Sequence, residues 1–147
     1  MPRMGGSDRW EVADRLHSAA IHLLRQARKQ DVLSRQGPAR LSALSVLVFG
    51  GPMTLGQLAQ AEQVKAPTMS RIVAGLKRSG LARIESDPND ARRIVVSVTP
   101  KGERLLQEAR QRRIQSVAEM LSALGEEDMA TLREAVGLIE RAVSSRR

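Results

Sequence analysis

The chain has 147 residues, of which 41% are hydrophobic, and a net charge of +8; that is one ordinary domain, or two small subdomains around a shared core, with no run long enough to span a membrane. It has no cysteine, which removes disulfides, zinc–thiolate sites and thiol redox sensing together and is compatible with the expected cytoplasmic location. Aromatic residues are only 1%, Trp10 and Phe49, too few for the stacking platform that single-stranded nucleic acid needs.

Residues 1–7 read as a loose tail, and "MPRMGGSDRW" lacks the apolar stretch of a secretory signal. From Asp8 to Arg35, Leu16, Ala20, Leu23, Leu24 and Ala27 fall at helical spacing. A helix of that length measures about 40 Å. One small domain cannot cover it, so a second chain is expected to cover part, with Trp10 in that packing. "RQGPAR" (35–40) breaks the pattern, and "LSALSVLVF" (41–49) predicts a short apolar helix stopped by Gly50, Gly51 and Pro52.

"TLGQLAQAE" (54–62) opens as a capping box. The Thr54 hydroxyl accepts the Gln57 backbone N–H, and the Gln57 side chain reaches back. Leu55, Leu58 and Ala59 supply its buried face. "EQVK" follows as a turn. "APTMSRIVAGLKRSG" (66–80) predicts the next helix, with Pro67 in its first turn and Gly80 at C′. Met69, Ile72, Val73 and Leu76 are its core side. Thr68, Ser70, Arg71, Lys77 and Arg78 lie elsewhere on it.

"LARIES" (81–86) and "RIVVSV" (93–98) read as two strands joined through the turn residues Asp87 to Asp90. Alternation puts Ile94, Val96 and Val98 inward and Val95 and Ser97 outward. Thr99 and Pro100 start a long helix, about 100–122, as N-cap and N1. After Gly125 the acidic turn Glu126, Glu127, Asp128 suits the positive end of a last helix. Met129, Leu132, Val136, Ile139 and Val143 give that helix a packing seam. His17 and His22 are five residues apart and do not share a helix face, so no metal or cofactor is expected.

Charge is unevenly spread. Residues 65–113 hold 12 Lys/Arg and 5 Asp/Glu, which is +7 of the total +8. A local excess of this kind is an electrostatic footprint for a polyanion. Leading into it stand, in order, a short helix (54–62), a tight turn and a helix with an exposed Ser/Thr/Arg face (66–79). That is a helix-turn-helix, whose second helix suits a DNA major groove. The hairpin that follows makes it a winged helix. The fold class expected is mainly α with a small β-hairpin wing, the winged helix-turn-helix being flanked by N- and C-terminal dimerisation helices.

With these motifs in hand, the chain over about residues 8–145 resembles the MarR family of bacterial transcription regulators. "DPNDARRIVVSVTPKGERLL" (87–106) looks like the family's D-x-R-x-x-x-V-x-L-T-x-x-G pattern, and "LSALSVL" and "TLGQLAQ…VKAPTMSRIVAGLKRSGL" also match. The resemblance implies a homodimer on double-stranded palindromic DNA, often released by a small anionic or phenolic effector. It implies a division into an N-terminal dimerisation helix (8–40), a DNA-binding region (41–99) and C-terminal dimerisation helices (100–147). Arg92 matches the family's minor-groove arginine, and Asp90 the acidic residue that helps to hold it. Arg93 departs from a position where small or varied residues are common, and is assigned at most a phosphate contact.

In the recognition helix Lys65, Pro67, Thr68, Ser70 and Arg71 are the candidate contacts. Arg71 can reach guanine O6 and N7 in bidentate fashion. Lys65 suits phosphate at the helix mouth. Lys77, Arg78 and Arg83 are assigned non-specific attraction. Arg110, Arg112 and Arg113 could line an anion pocket, but a solvated helix face is the preferred reading. No nucleophile–base pair, paired carboxylate site, Gly-rich phosphate loop or H-E-x-x-H appears, so an enzyme is not expected. The alternative to a specific regulator is an architectural DNA-binding protein without a cognate site.

Overall fold

The computed structural model describes residues 6–146, the Ser7 side chain excepted. In chain order it comprises α1 (Gly6–Arg28), a 3₁₀ segment (Lys29–Ser34), α2 (Pro38–Gly50), β1 (Met53–Thr54), α3 (Leu55–Ala61) and α4 (Ala66–Arg78). Then follow β2 (Ala82–Asp87), β3 (Asp90–Val98), α5 (Pro100–Leu121) and α6 (Glu126–Ser144). The sheet is antiparallel with strand order β1-β3-β2. The mainly helical class with a small sheet is the one the sequence predicts. Of the tail expected over 1–7, residues 1–5 lie outside the described residues, and Gly6 and Ser7 already belong to α1.

The core lies under the middle of the chain. Leu44 and Leu47 of α2, Leu58 of α3, Met69, Val73 and Leu76 of α4, Leu81, and Val96 of β3 are all fully buried and form one cluster. Burying each such side chain contributes about 1.5–3 kcal/mol. α4 therefore has one side committed to the core, at the 3-4 spacing of Met69, Val73 and Leu76.

Short-range chemistry sets the element boundaries. Gln57 N–H donates to Thr54 Oγ1 at 3.2 Å and Thr54 N–H to Gln57 Oε1 at 3.0 Å. This is the capping box expected for α3. α4 ends where Gly80 takes φ +71°, with Gly80 N–H donating to Lys77 O and Leu81 N–H to Leu76 O, each at 2.9 Å. That is a Schellman cap, and it turns the chain straight into the hairpin. The same cap at the end of α3 uses Gln63 at φ +55°, with Val64 N–H on Ala59 O at 3.0 Å.

Three expectations are corrected. The helix over 8–35 stops at Arg28 and tightens to 3₁₀. Ser34 Oγ donates to the Asp31 carbonyl at 2.6 Å and accepts the Gln36 N–H at 3.2 Å, so its hydroxyl competes with α-helical continuation. Met53 and Thr54 form a third strand, pairing with Val96 and Val95, which their two-residue length hides from any periodicity. Ile94 shares a strand face with buried Val96 but is 44% exposed, because the cluster reaches only Val96 and half-buried Val98 on β3.

The start of α5 is fixed to the end of α4. Thr99 Oγ1 accepts Gly102 N–H at 3.1 Å and donates to Gly80 O at 2.6 Å, while Thr99 N–H donates to Leu81 O at 3.0 Å. A Cβ on Gly102 would collide with that same Leu81 carbonyl and stand 2.9 Å from Val98 Cγ2. The carbonyl cannot retreat without losing its bond. Gly102→Ala is therefore expected to lower stability by about 1–3 kcal/mol, the usual cost of overpacking, read from urea unfolding. An unchanged unfolding midpoint would show that this junction yields.

Candidate nucleic-acid interface

Burial on α4 sorts the predicted residues. Lys65, Pro67, Thr68, Ser70 and Arg71 are exposed, while Met69, Val73 and Leu76 are buried. Lys65 is the N-cap, with no side-chain cap bond, and Pro67 occupies the first turn. Proline has no N–H to satisfy there, so the turn costs little to leave open. The positive end of the α4 dipole thus opens beside Lys65 and Thr68, which suits a phosphate. Lys77 and Arg78 follow in the last turn, also exposed.

The hairpin is tighter than the sequence suggests. β3 begins at Asp90, so only Pro88 and Asn89 form the loop. Asp87 Oδ1 accepts Asn89 N–H at 2.9 Å. The ladder then slips: Asp87 opposes Asp90, but Ser86 opposes Ile94. Ala91, Arg92 and Arg93 stand in that irregularity, outside the pairing. A bulge twists a strand and re-aims its side chains, and all three residues are exposed.

Asp90 acts on the backbone of this segment. Its Oδ1 accepts Arg92 N–H at 3.0 Å. Among the described residues the ion pairs are Arg113–Asp31 and Arg15–Glu11. The guanidinium groups of Arg71, Arg92 and Arg93 belong to neither. Arg92, Arg93 and Ile94 also line an open groove of about 390 Å³ against Thr54, Leu55, Gly56 and Gln57 at the start of α3. The structure thus brings the two wing arginines beside the capping box.

A second feature was missed by sequence reasoning. Arg113 of α5 donates from Nε and Nη2 to Asp31 Oδ1 and Oδ2, both at 2.6 Å. The Asp31 side chain is 8% exposed and that of Arg113 33%. This overturns the solvated reading of Arg113: the 3₁₀ turn swings a carboxylate against α5. No local signal could reveal a pair separated by 82 positions. Arg112 is half-buried, whereas Arg110 is exposed. Arg28, Arg110 and Arg113 line a cleft of about 280 Å³ with Ser42, Ser45, Leu41 and Phe49.

His17 and His22 are both exposed on α1. Among the described residues no group of three or more His, Asp or Glu could hold a metal ion, and no helix is long and apolar enough to cross a membrane.

Comparison with known proteins gives one consistent result. Residues 34–93 match the sequence profile of the MarR family. A helix-turn-helix-type transcriptional regulator of Mycobacterium leprae, itself uncharacterised, is 37% identical over 87% of this chain and 90% of its own. A MarR family protein from Bacillus stearothermophilus superposes with a TM-score of 0.80 at 20% identity, covering 96% of this chain and 99% of that one. A Staphylococcus aureus MepR variant bound to an oligodeoxyribonucleotide superposes with a TM-score of 0.70 at 18% identity, covering 90% and 97%.

The Asp31–Arg113 pair carries a stability prediction. Arg113→Ala would leave Asp31 charged, buried and unpartnered. The expected loss is about 3 kcal/mol, the low end for removing one partner of a buried pair, measured by urea unfolding. A loss no larger than that of an exposed arginine would mean that Asp31 finds water or another donor.

Proposed function

The chain belongs to the MarR family of transcription regulators, and on that premise we propose that it is a dimeric, sequence-specific repressor of a palindromic DNA site, relieved by a small ligand. The observation that carries the reading is α4: one side buried, the other presenting Thr68, Ser70 and Arg71 next to an open, basic N-terminus. In this reading Arg71 reads a base edge and Lys65, Thr68 and Ser70 meet phosphate or base. Pro67 shapes the first turn. Arg92 enters a minor groove, held at its backbone by Asp90, and Arg93 adds a phosphate contact. The oligonucleotide bound by the S. aureus neighbour supports DNA as the partner.

The dimer reading rests on uncovered apolar surface. α6 buries none of its residues, and Val136, Leu138, Ile139 and Val143 are exposed on it. Between α1 and α5 lies an open groove of about 510 Å³ whose walls include Leu23, Leu24, Ile114, Val117 and Leu121. Trp10 is 73% exposed. So much exposed apolar surface marks an interaction site. In this account residues 8–40 and 100–147 form the dimerisation region and 41–99 the DNA-binding region. Two recognition helices would then sit about 34 Å apart, one DNA turn. The dimer should sediment as one species at micromolar concentration. A monomer whose sedimentation does not change with concentration would sink the dimer reading.

For the ligand, the Arg28–Arg110–Arg113 cleft offers positive charge over an apolar floor that includes Phe49 and Leu41. That chemistry suits a small anion with an aromatic body. Cytoplasmic action follows from the role.

The test is a salt titration of fluorescence anisotropy on a duplex from upstream of the protein's own gene and on a scrambled duplex. A preference on the order of a thousandfold is expected for the first. Arg71→Ala should cost about ten- to a hundredfold of that preference. Arg92→Ala should weaken binding and lower the salt slope by about one. Millimolar benzoate should release the upstream duplex. Equal affinity for upstream, scrambled and genome-selected fragments would instead identify an architectural protein.

A further inference from the structure

Gly75 is a buried glycine in the middle of α4, at φ in the ordinary helical range. A Cβ there would meet the guanidinium of Arg40, which reaches over from the first turn of α2. Thr68, Arg71 and Gly75 follow one another at steps of three and four, so they share one flank of the helix. Arg40 thus occupies, on the flank that presents Arg71, the space where a residue of α4 itself would carry a side chain.

One hydrogen bond tethers Arg40 to its own segment of the chain. Its Nη1 donates to Gln36 Oε1 at 3.3 Å. Gln36 N–H donates to Ser34 Oγ at 3.2 Å, and Ser34 Oγ donates to the Asp31 carbonyl at 2.6 Å. Asp31 is clamped by Arg113 through two bonds of 2.6 Å. A series of polar contacts therefore runs from α5, past the 3₁₀ segment, to Arg40, whose guanidinium packs against Gly75 of α4.

We propose that Arg40 is a specificity-positioning residue: seated on Gly75 and tethered through Gln36 and Ser34 to the Asp31–Arg113 pair, it sets the lie of α4 from which Arg71 reads DNA. The proposal rests on the reading of α4 as the recognition helix. It differs from a phosphate contact in what it controls. A lost phosphate contact weakens all duplexes alike, whereas a tilted recognition helix loses the difference between them.

Gly75→Ala is the discriminating variant. Its methyl group displaces only the far end of a flexible side chain, keeps every charge, and replaces glycine with the best helix former. A duplex enriched from a random pool by the wild-type protein, and a scrambled duplex, serve as probes in anisotropy titrations. Thermal melting of each variant is recorded alongside. Gly75→Ala and Arg40→Ala should each lower the selected-to-scrambled preference by about tenfold, the scale of one misplaced base contact. Gly75→Ala should melt no lower than wild type, and the double variant should lose no more preference than either single one. Arg113→Lys should lower the preference in the wild-type background and not on top of Arg40→Ala.

Wild-type preference in Gly75→Ala and Arg40→Ala overturns the proposal. A fall in affinity equal for both duplexes does so too, and makes Arg40 a phosphate contact. An additive effect of Arg113→Lys removes the tie to α5. If the wild-type protein enriches no sequence at all, the regulator reading fails together with this one; if it enriches one that the variants prefer equally, only this inference fails.

Discussion

Met69, Val73 and Leu76 tie one side of α4 to a cluster drawn from α2, α3 and β3, and most of what the molecule can do depends on that anchorage. A helix of 13 residues is marginal by itself in water. Packed on three neighbours, it becomes rigid, and its outward residues inherit that rigidity. The Schellman turn at Gly80 and the Thr99 cap then pass the constraint on, since both bond to the last turn of α4 or to Leu81 just beyond it. Core, α4, hairpin and the start of α5 are in this sense one mechanical unit.

Much of this was legible in the sequence because it is local. The spacing of Met69, Val73 and Leu76, the Thr54–Gln57 box, glycine at position 80 and Thr99–Pro100 each act within four residues or so. The exposed side of α4 and the arginines beyond the hairpin turn could be named for the same reason. What escaped depends on distant partners or on very short elements. Two residues of β1 contain no alternation to detect. Ile94 keeps the right parity for the inner face, but the core ends before it. The passage from α-helix to 3₁₀ at Lys29 has no breaker residue; it is fixed by Ser34 and by a carboxylate whose partner lies 82 positions away.

The Asp31–Arg113 pair also illustrates how two readings of one residue type separate. Arg113 and Arg110 are near neighbours on the same helix. One is immobilised by two short charge-assisted bonds, the other remains exposed at the edge of the cleft. A planar guanidinium suits the first task because its fork matches a carboxylate. The cleft therefore combines a fixed charge, already balanced by Asp31, with adaptable ones at Arg28 and Arg110.

α6 buries none of its own residues fully in the protomer, with Met129 and Leu132 only half-buried, so little in its own chain repays the entropy of ordering it. An isolated helix of 19 residues hovers between coil and helix. If a second protomer supplies the missing surface, the order of this terminal segment follows mass action. Its helicity would then register how many copies of the chain the cell contains, so that abundance itself becomes an input to a protein that controls transcription.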